Sequence, residues 1–251
     1  HGMHRDPQPV KLYTIAPMYR YSAPQKGRVR EHWQLSVEAI GSEHPSLDAE
    51  VIQLYHALLL RLGVTDVALA LNSIGCRECR PAYLESLRAW LAENEGRLDE
   101  ATREKATTSP LRIFDNMDAK PSSVREALQE APKIGDSLCS ACAAHFAAVR
   151  RDLDPSGVAY GVVPTLVRGL DYYTRTTWEF GRPGGGAQSS LTGGGRYDGL
   201  VEEIGGPPTP GVGFGAGIER LIMALEDAGV APPPPAVAFF LALDDGAPRE
   251  R

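Results

Sequence analysis

No stretch of this 251-residue chain approaches the roughly 20 apolar residues that span a bilayer, and its opening, HGMHRDPQPV, lacks the apolar core of a secretory signal. A soluble, cytoplasmic protein with no membrane partner is expected. Basic residues are also short: 26 Lys and Arg against 32 Asp and Glu leave a net charge of -6, which excludes a general cationic field for gripping nucleic acid. Any RNA contact must be local and shaped. No G-x-x-x-x-G-K-[ST] phosphate loop occurs, and cysteine is confined to four residues in two C-x-x-C pairs, which in a cytosolic setting favours metal or free thiols over disulfides. Apolar mass is plentiful. At 43% of residues it can fill one large domain and a smaller one.

Residues 11–40 read as an antiparallel hairpin with a long loop: KLYTIAPMYRY, SAPQKGRVREH, WQLSVEAIG. In its second strand Gln34, Ser36 and Glu38 alternate with Leu35, Val37 and Ala39, so one face is polar and makes a candidate pocket floor. Pro17 predicts a bulge or a missing ladder bond in the first strand. A helix is predicted from Ser46, with Asp48 and Glu50 in its first turn, an apolar stripe of Val51, Leu54, Leu58 and Leu62, and Gly63 at its end. VTDVALALNSIG reads as a strand. Residues 76–152 are charged and helical, and read as an inserted small domain dividing a larger core into 1–75 and 153–230. Residues 160–200 return to strand and turn composition, and GVGFGAG runs into the helical IERLIMALEDAG, with Ile218, Leu221, Ile222 and Leu225 on one face. PPPP at 232–235 reads as a stiff linker, and AVAFFLALDD as the first strand of a further domain.

Several clusters could carry chemistry. LVRGLDYYT, residues 166–174, holds one cation, Arg168, in an otherwise apolar, strand-like stretch, where an unpaired buried charge is costly. Its partner is either an internal carboxylate or an anionic ligand. Arg20, Lys26, Arg28 and Arg30 fall close together, with Gln34 and Glu38 following. Flexible cations beside a fixed acid suit a polyphosphate held over a site that selects an amine or imidazole, unless the loop is simply solvated. Glycines at 211, 213, 215 and 217 allow close backbone approach, and Arg220 in the next helix's first turn suits an anion. Tyr172, Tyr173 and Tyr197, the last in TGGGRYDG, either recognise an imidazole or ammonium or are ordinary core. Cys76, Cys79, Cys139 and Cys142 could form a tetrahedral structural zinc site, although the gap between the pairs exceeds the usual roughly 15–20 residues; reduced thiols are the alternative.

LVRGLDYYT and TGGGRYDG resemble the histidine-pocket signatures of histidyl-tRNA synthetases. The strand, basic loop and strand of residues 11–40 and the segment GVGFGAGIER are similar to the second and third motifs of class II aminoacyl-tRNA synthetases. The resemblance covers nearly the whole chain. It implies an α+β fold, a class II-type antiparallel sheet flanked by helices with a mainly helical insertion. For the parent protein it implies activation of L-histidine by ATP with Mg2+, transfer to tRNA(His), and a homodimer. Carried over residue by residue, Arg20 grips the α-phosphate and the substrate carboxylate, Arg28 and Arg220 contact ATP, and Arg168 stabilises charge on the α-phosphate. Gln34, Glu38, Tyr172, Tyr173 and Tyr197 line the histidine pocket. His32 and Trp33 depart from the family's usual residues, so the ring that stacks on adenine is left open between them. The resemblance lends no weight to zinc. It also implies that the first family motif and most of an anticodon-binding domain lie outside this chain, so that this piece alone is expected to be inactive. Two readings without ligase chemistry stay open: the synthetase-like regulatory subunit of ATP phosphoribosyltransferase, against which Arg20, Arg168 and Arg220 argue, and a tRNA-sensing domain.

Overall fold

A computed structural model describes residues 2–21, 24, 27, 29–115, 117–169, 171–183 and 190–230. Lys26, Arg28 and the expected linker and strand of 231–251 lie outside them. Among the described residues seven strands make one sheet. β1 (Val10–Tyr19) and β2 (Glu31–Ile40) are the predicted hairpin; β3 is Ala68–Ser73, β4 Tyr160–Val162, β5 Thr174–Gly181, β6 Ser190–Arg196 and β7 Gly211–Gly217. Their order is β1-β2-β7-β6-β5-β3-β4. Every pairing is antiparallel except β3 with β4, so the sheet is mixed rather than wholly antiparallel. A parallel pair needs a long crossover, and the helical segment between these two strands supplies it.

Pro17 produces no bulge: it faces Trp33 in a register that runs unbroken from Val10 to Tyr19. β1 is an edge strand, where proline is tolerated. The register shifts occur instead in β5, between Thr174 and Thr177 and at Gly181.

Helix α1 (Pro45–Leu62) begins earlier than Ser46 suggested, because the His44 ring accepts from the Ser46 amide and Pro45 fills the first turn; Gly63, at φ 85°, closes it. Its buried face is Leu47, Asp48, Val51, Ile52, Tyr55 and Leu59, while Leu54 is half exposed. The predicted stripe is therefore rotated, and Asp48, paired with Arg196 and His145, lies on the inward side. Tyr55 meets Phe214 and Phe180 with ring centroids 4.9 and 5.4 Å apart, over a core that includes Trp178, Leu71 and Val212. Truncating one of these rings to alanine costs about 3–5 kcal/mol.

Of the helical segment, α2 (Arg80–Glu93), α3 (Glu100–Thr108) and α4 (Ser122–Glu130) enclose a second core around Tyr83, Leu87, Ile113, Leu128 and Ile134. α5 (Ser140–Leu153) buries Val149 and Leu153 in the first core, beside α1. A single turn, α6 (Leu200–Glu203), follows β6, and α7 (Ile218–Asp227) follows β7 directly. α7 packs through Leu221 and Ala224, leaving Ile222 half exposed.

Candidate active site

Glycine at alternate positions strips one face of a strand of side chains. β6 has it at Gly193 and Gly195 and β7 at Gly211, Gly213, Gly215 and Gly217, with Gly193 opposite Gly215 and Gly195 opposite Gly213. Neighbouring side chains lie directly on this bare backbone. A methyl on Gly193 would overlap the Arg168 guanidinium, one on Gly195 or Gly211 the ring of Tyr173 or Tyr197, and one on Gly213 or Gly215 the ends of Glu38 or Gln34. The glycines therefore form the floor of a trough whose walls are residues singled out from the sequence.

One end is cationic. A cavity of about 270 Å³ is lined there by Arg20, His32, Gln34, Arg168, Glu219 and Arg220, among others. Arg20 Nε donates to the Val29 carbonyl at 2.7 Å, and Arg220 Nε to the Gly27 carbonyl at 2.9 Å. Arg168 sits on an irregular segment between β4 and β5, not on a strand as its composition suggested. Asn72 Nδ2 holds that segment off the ladder by donating to the carbonyls of Pro164 and Leu166, at 3.3 and 2.9 Å. Arg168 Nη1 pairs with the Glu179 carboxylate of β5, and its Nε is buried with no partner among the described residues. One carboxylate thus satisfies one edge of the guanidinium, and the side chain still lines the cavity. Glu219 Oε1 accepts from the Trp33 amide at 2.8 Å. Alternation along β2 turns His32, with its Nδ1 buried and without a partner among the described residues, toward the cavity and Trp33 away from it.

The other end is aromatic and acidic. Tyr197 donates its hydroxyl to Glu38, Tyr172 and Tyr173 have ring centroids 4.8 Å apart, and Tyr172 stands nearly perpendicular to Tyr197. Ile74 and Leu200 complete the cluster. Burial raises the Glu38 carboxyl above its ordinary value, more than the Tyr197 hydrogen bond lowers it. Burial also pushes the Tyr173 and Tyr197 hydroxyls up, which keeps them neutral donors. A partly desolvated acid among neutral hydroxyls suits an ammonium or imidazole. Gln34, over Gly215 at the arginine end, donates to Ser36 Oγ at 2.9 Å.

A family model for histidyl-tRNA synthetase matches residues 1–221. The chain belongs to the histidyl-tRNA synthetase family. It is 47% identical over 235 residues to a histidine–tRNA ligase of Caldanaerobacter subterraneus and 49% identical over 238 residues to one of Anaeromyxobacter dehalogenans. Each alignment covers 94% of this chain and 56% of the relative, so the chain spans a little over half the length of the curated relatives it matches. The crystal structure of apo histidyl-tRNA synthetase from S. aureus superposes with a TM-score of 0.71 at 36% identity, covering 92% of this chain and 55% of that one. An ATP phosphoribosyltransferase regulatory subunit/histidyl-tRNA synthetase from Bacillus halodurans is also similar, with a TM-score of 0.59 at 25% identity, covering 89% and 60%. The expected synthetase sheet flanked by helices is the observed fold.

Several residues of this histidyl-tRNA synthetase family member escaped the sequence reading. On the opposite face of β6 from the trough, Arg196 is fully buried, pairing with Asp48 and donating to Asp198 at 2.9 Å and to the Ser42 carbonyl at 3.0 Å. His145 Nε2 lies 2.9 Å from Asp48. Burial would raise the Asp48 carboxyl, but the bond to His145 and the Arg196 charge outweigh it and hold it below its usual value. Glu179 was also missed, although a lone acid in TRTTWEFG is the kind of signal that could have paired it with Arg168.

The four cysteine sulfurs lie within 4.8 Å of one another, and none lines the trough cavity. Burial raises the Cys76 thiol, yet the amides of Cys79 and Glu78 and the adjacent thiols bring it down to about 7.

Proposed function

We propose that the protein containing this core activates L-histidine with ATP to histidyl-adenylate and transfers it to tRNA(His). The observation that carries this reading is the continuity of the trough: the acid-and-tyrosine end over Gly195 and Gly213 lies two residues, about 7 Å, from the arginine end over Gly193 and Gly215. That spacing suits an amino acid with its ring at one end and its carboxylate at the other. Glu38, Tyr172, Tyr173 and Tyr197 hold the imidazole and ammonium, and Gln34 assists. Arg20 and Arg168 face the carboxylate and α-phosphate, Arg220 the γ-phosphate, Arg28 a further part of ATP, and His32 the adenine. The carboxylate oxygen attacks the α-phosphorus while the bond to pyrophosphate breaks. No proton has to be removed, so catalysis is alignment and charge neutralisation.

Mg2+ arrives with ATP and adds charge neutralisation on its phosphates; Glu179 and Glu219 are the carboxylates on the cavity wall with the hard oxygen donors such an ion takes. The four thiols take a structural Zn2+ rather than a catalytic one. The basic loop after β1 meets the tRNA acceptor end. A homodimer or a further segment of the complete protein covers the exposed apolar side of β1, where Leu12, Tyr13, Leu54 and Leu58 line a groove of about 310 Å³. The protein works in the cytoplasm; no described helix is long and apolar enough to cross a membrane.

The test is ATP/pyrophosphate exchange by the complete protein with each standard amino acid, and with Arg168→Ala as control. Exchange stimulated only by histidine and lost in the variant is expected. A folded, ATP-binding protein without exchange would move the reading to the regulatory or tRNA-sensing role, the former suggested by the likeness to the Bacillus halodurans structure.

A further inference from the structure

A zinc ion in a tetrahedron of four thiolates at about 2.3 Å holds its sulfurs about 3.8 Å apart. Here Cys76 Sγ is 3.7 Å from Cys79 Sγ and 3.9 Å from Cys139 Sγ, and Cys142 completes the group. All four are free thiols, and soft sulfur donors in this arrangement select a zinc-like cation. Around the first pair, Gly75 at φ 65° turns the chain so closely over Cys79 that an added Cβ would lie 2.8 Å from the Cys79 Cβ, and the Cys139 amide donates to Cys79 Sγ at 3.1 Å. This is a folded turn around sulfur, not a chance meeting of side chains.

The location gives the cluster a task. Cys76 and Cys79 lie where the chain leaves β3, and Cys139 and Cys142 where α5 brings it back, so an ion there ties the neck of the helical segment. The same turn grips the pocket wall. Ile74 N donates to Arg175 O and Arg175 N to Gly75 O, both at 2.8 Å, while Arg80, next to Cys79, donates to the carbonyls of Tyr173 and Asp171. Arg175 has φ 52°, a left-handed conformation uncommon in non-glycine residues, two residues after Tyr173. Those bonds are what hold it.

We propose that Cys76, Cys79, Cys139 and Cys142 bind a structural Zn2+ that braces the Tyr172–Tyr173 wall, so that histidine affinity depends on the metal while ATP affinity does not. The coupling rests on the reading of the trough as a histidine site. Arg80 is the positioning residue between the two.

The experiment uses the complete protein in three forms: as purified, chelator-stripped, and Arg80→Gln. Metal content and the visible spectrum after Co2+ replacement report the site, and calorimetry reports histidine and ATP binding separately. Expected are stoichiometric zinc, the ligand-field bands of tetrahedral cobalt thiolate, and an increase in histidine Kd of at least about tenfold on stripping, reversed by zinc, with ATP Kd unchanged. Arg80→Gln is expected to keep its metal and still bind histidine more weakly. Absence of both bound zinc and a cobalt thiolate spectrum overturns the site. Bound metal with histidine affinity indifferent to stripping overturns the brace. Zinc-loaded protein that never binds histidine overturns the trough reading and the brace with it, and leaves the metal site standing.

Discussion

Two arginines lie against opposite faces of β6 and live under opposite rules. Arg196 is fully buried, and its guanidinium is engaged by Asp48, Asp198 and the carbonyls of Ser42 and His44. Arg168, over the glycine face, is a quarter exposed, has one carboxylate partner and keeps a buried Nε that meets nothing among the described residues. A charge completed from within holds the fold together, whereas a charge left incomplete beside a cavity fits something that arrives from outside. The proposed function extends this contrast: one face of the strand carries stability and the other carries chemistry.

The contrast breaks most easily at Arg196. Removing one partner of a buried ion pair strands the other, so Arg196→Met is predicted to destabilise the protein by about 3–5 kcal/mol in denaturant titrations. Arg168→Ala should do the reverse, lowering exchange about 10²–10³-fold with a melting temperature close to that of the parent. Retained exchange would put Arg168 among the structural charges. Glu38→Gln is expected to weaken histidine binding roughly 10–100-fold by calorimetry.

The two acids sharpen the comparison through pH. Asp48 is held below its ordinary value of 3.8, so the unfolded chain binds more protons in that window; its stabilisation is present above 3.8 and disappears as pH falls through the folded value. Glu38 is raised above 4.5, so its contribution is full below 4.5 and is lost as pH rises through the folded value. Glu38→Gln should therefore be at least as stable as the parent at neutral pH while binding histidine less well, the mark of a group kept for function. Chemical denaturation across pH 3–7 tests both signs.

Much of this was readable in the chain because local pattern and local structure agreed. The alternation of Gln34, Ser36 and Glu38 placed β2 correctly, and GVGFGAG followed by an amphipathic run placed β7 and α7. Arg20, Arg168, Arg220, the glutamine, tyrosines and cysteines named from the sequence are brought into one trough and one sulfur cluster; Arg30 is exposed on the loop and Arg28 lies outside the described residues. What failed depended on distant partners. Asp48 is the first-turn acid the sequence suggested, but its ion pair with Arg196, 148 positions away, is invisible from its neighbourhood. LVRGLDYYT read as a strand because apolar and aromatic residues favour one, but Asn72, 94 positions away, takes up the Leu166 carbonyl, and Leu166–Gly169 are irregular.

Adjacent glycines allow the most direct test. A Cβ on Gly194 would press on the Gly213 carbonyl and the Trp178 ring, both about as immovable as protein groups get, so Gly194→Ala should cost about 1–3 kcal/mol of stability. The three atoms nearest to a Cβ on Gly193 all belong to the guanidinium of Arg168, a flexible end that can move aside and so leave its working position. The measurement is histidine-dependent ATP/pyrophosphate exchange by the complete protein carrying Gly193→Ala, with its melting temperature taken alongside. A folded protein with exchange lost is predicted; a folded protein that exchanges at the parent's rate would contradict the claim that this face of β6 carries the chemistry.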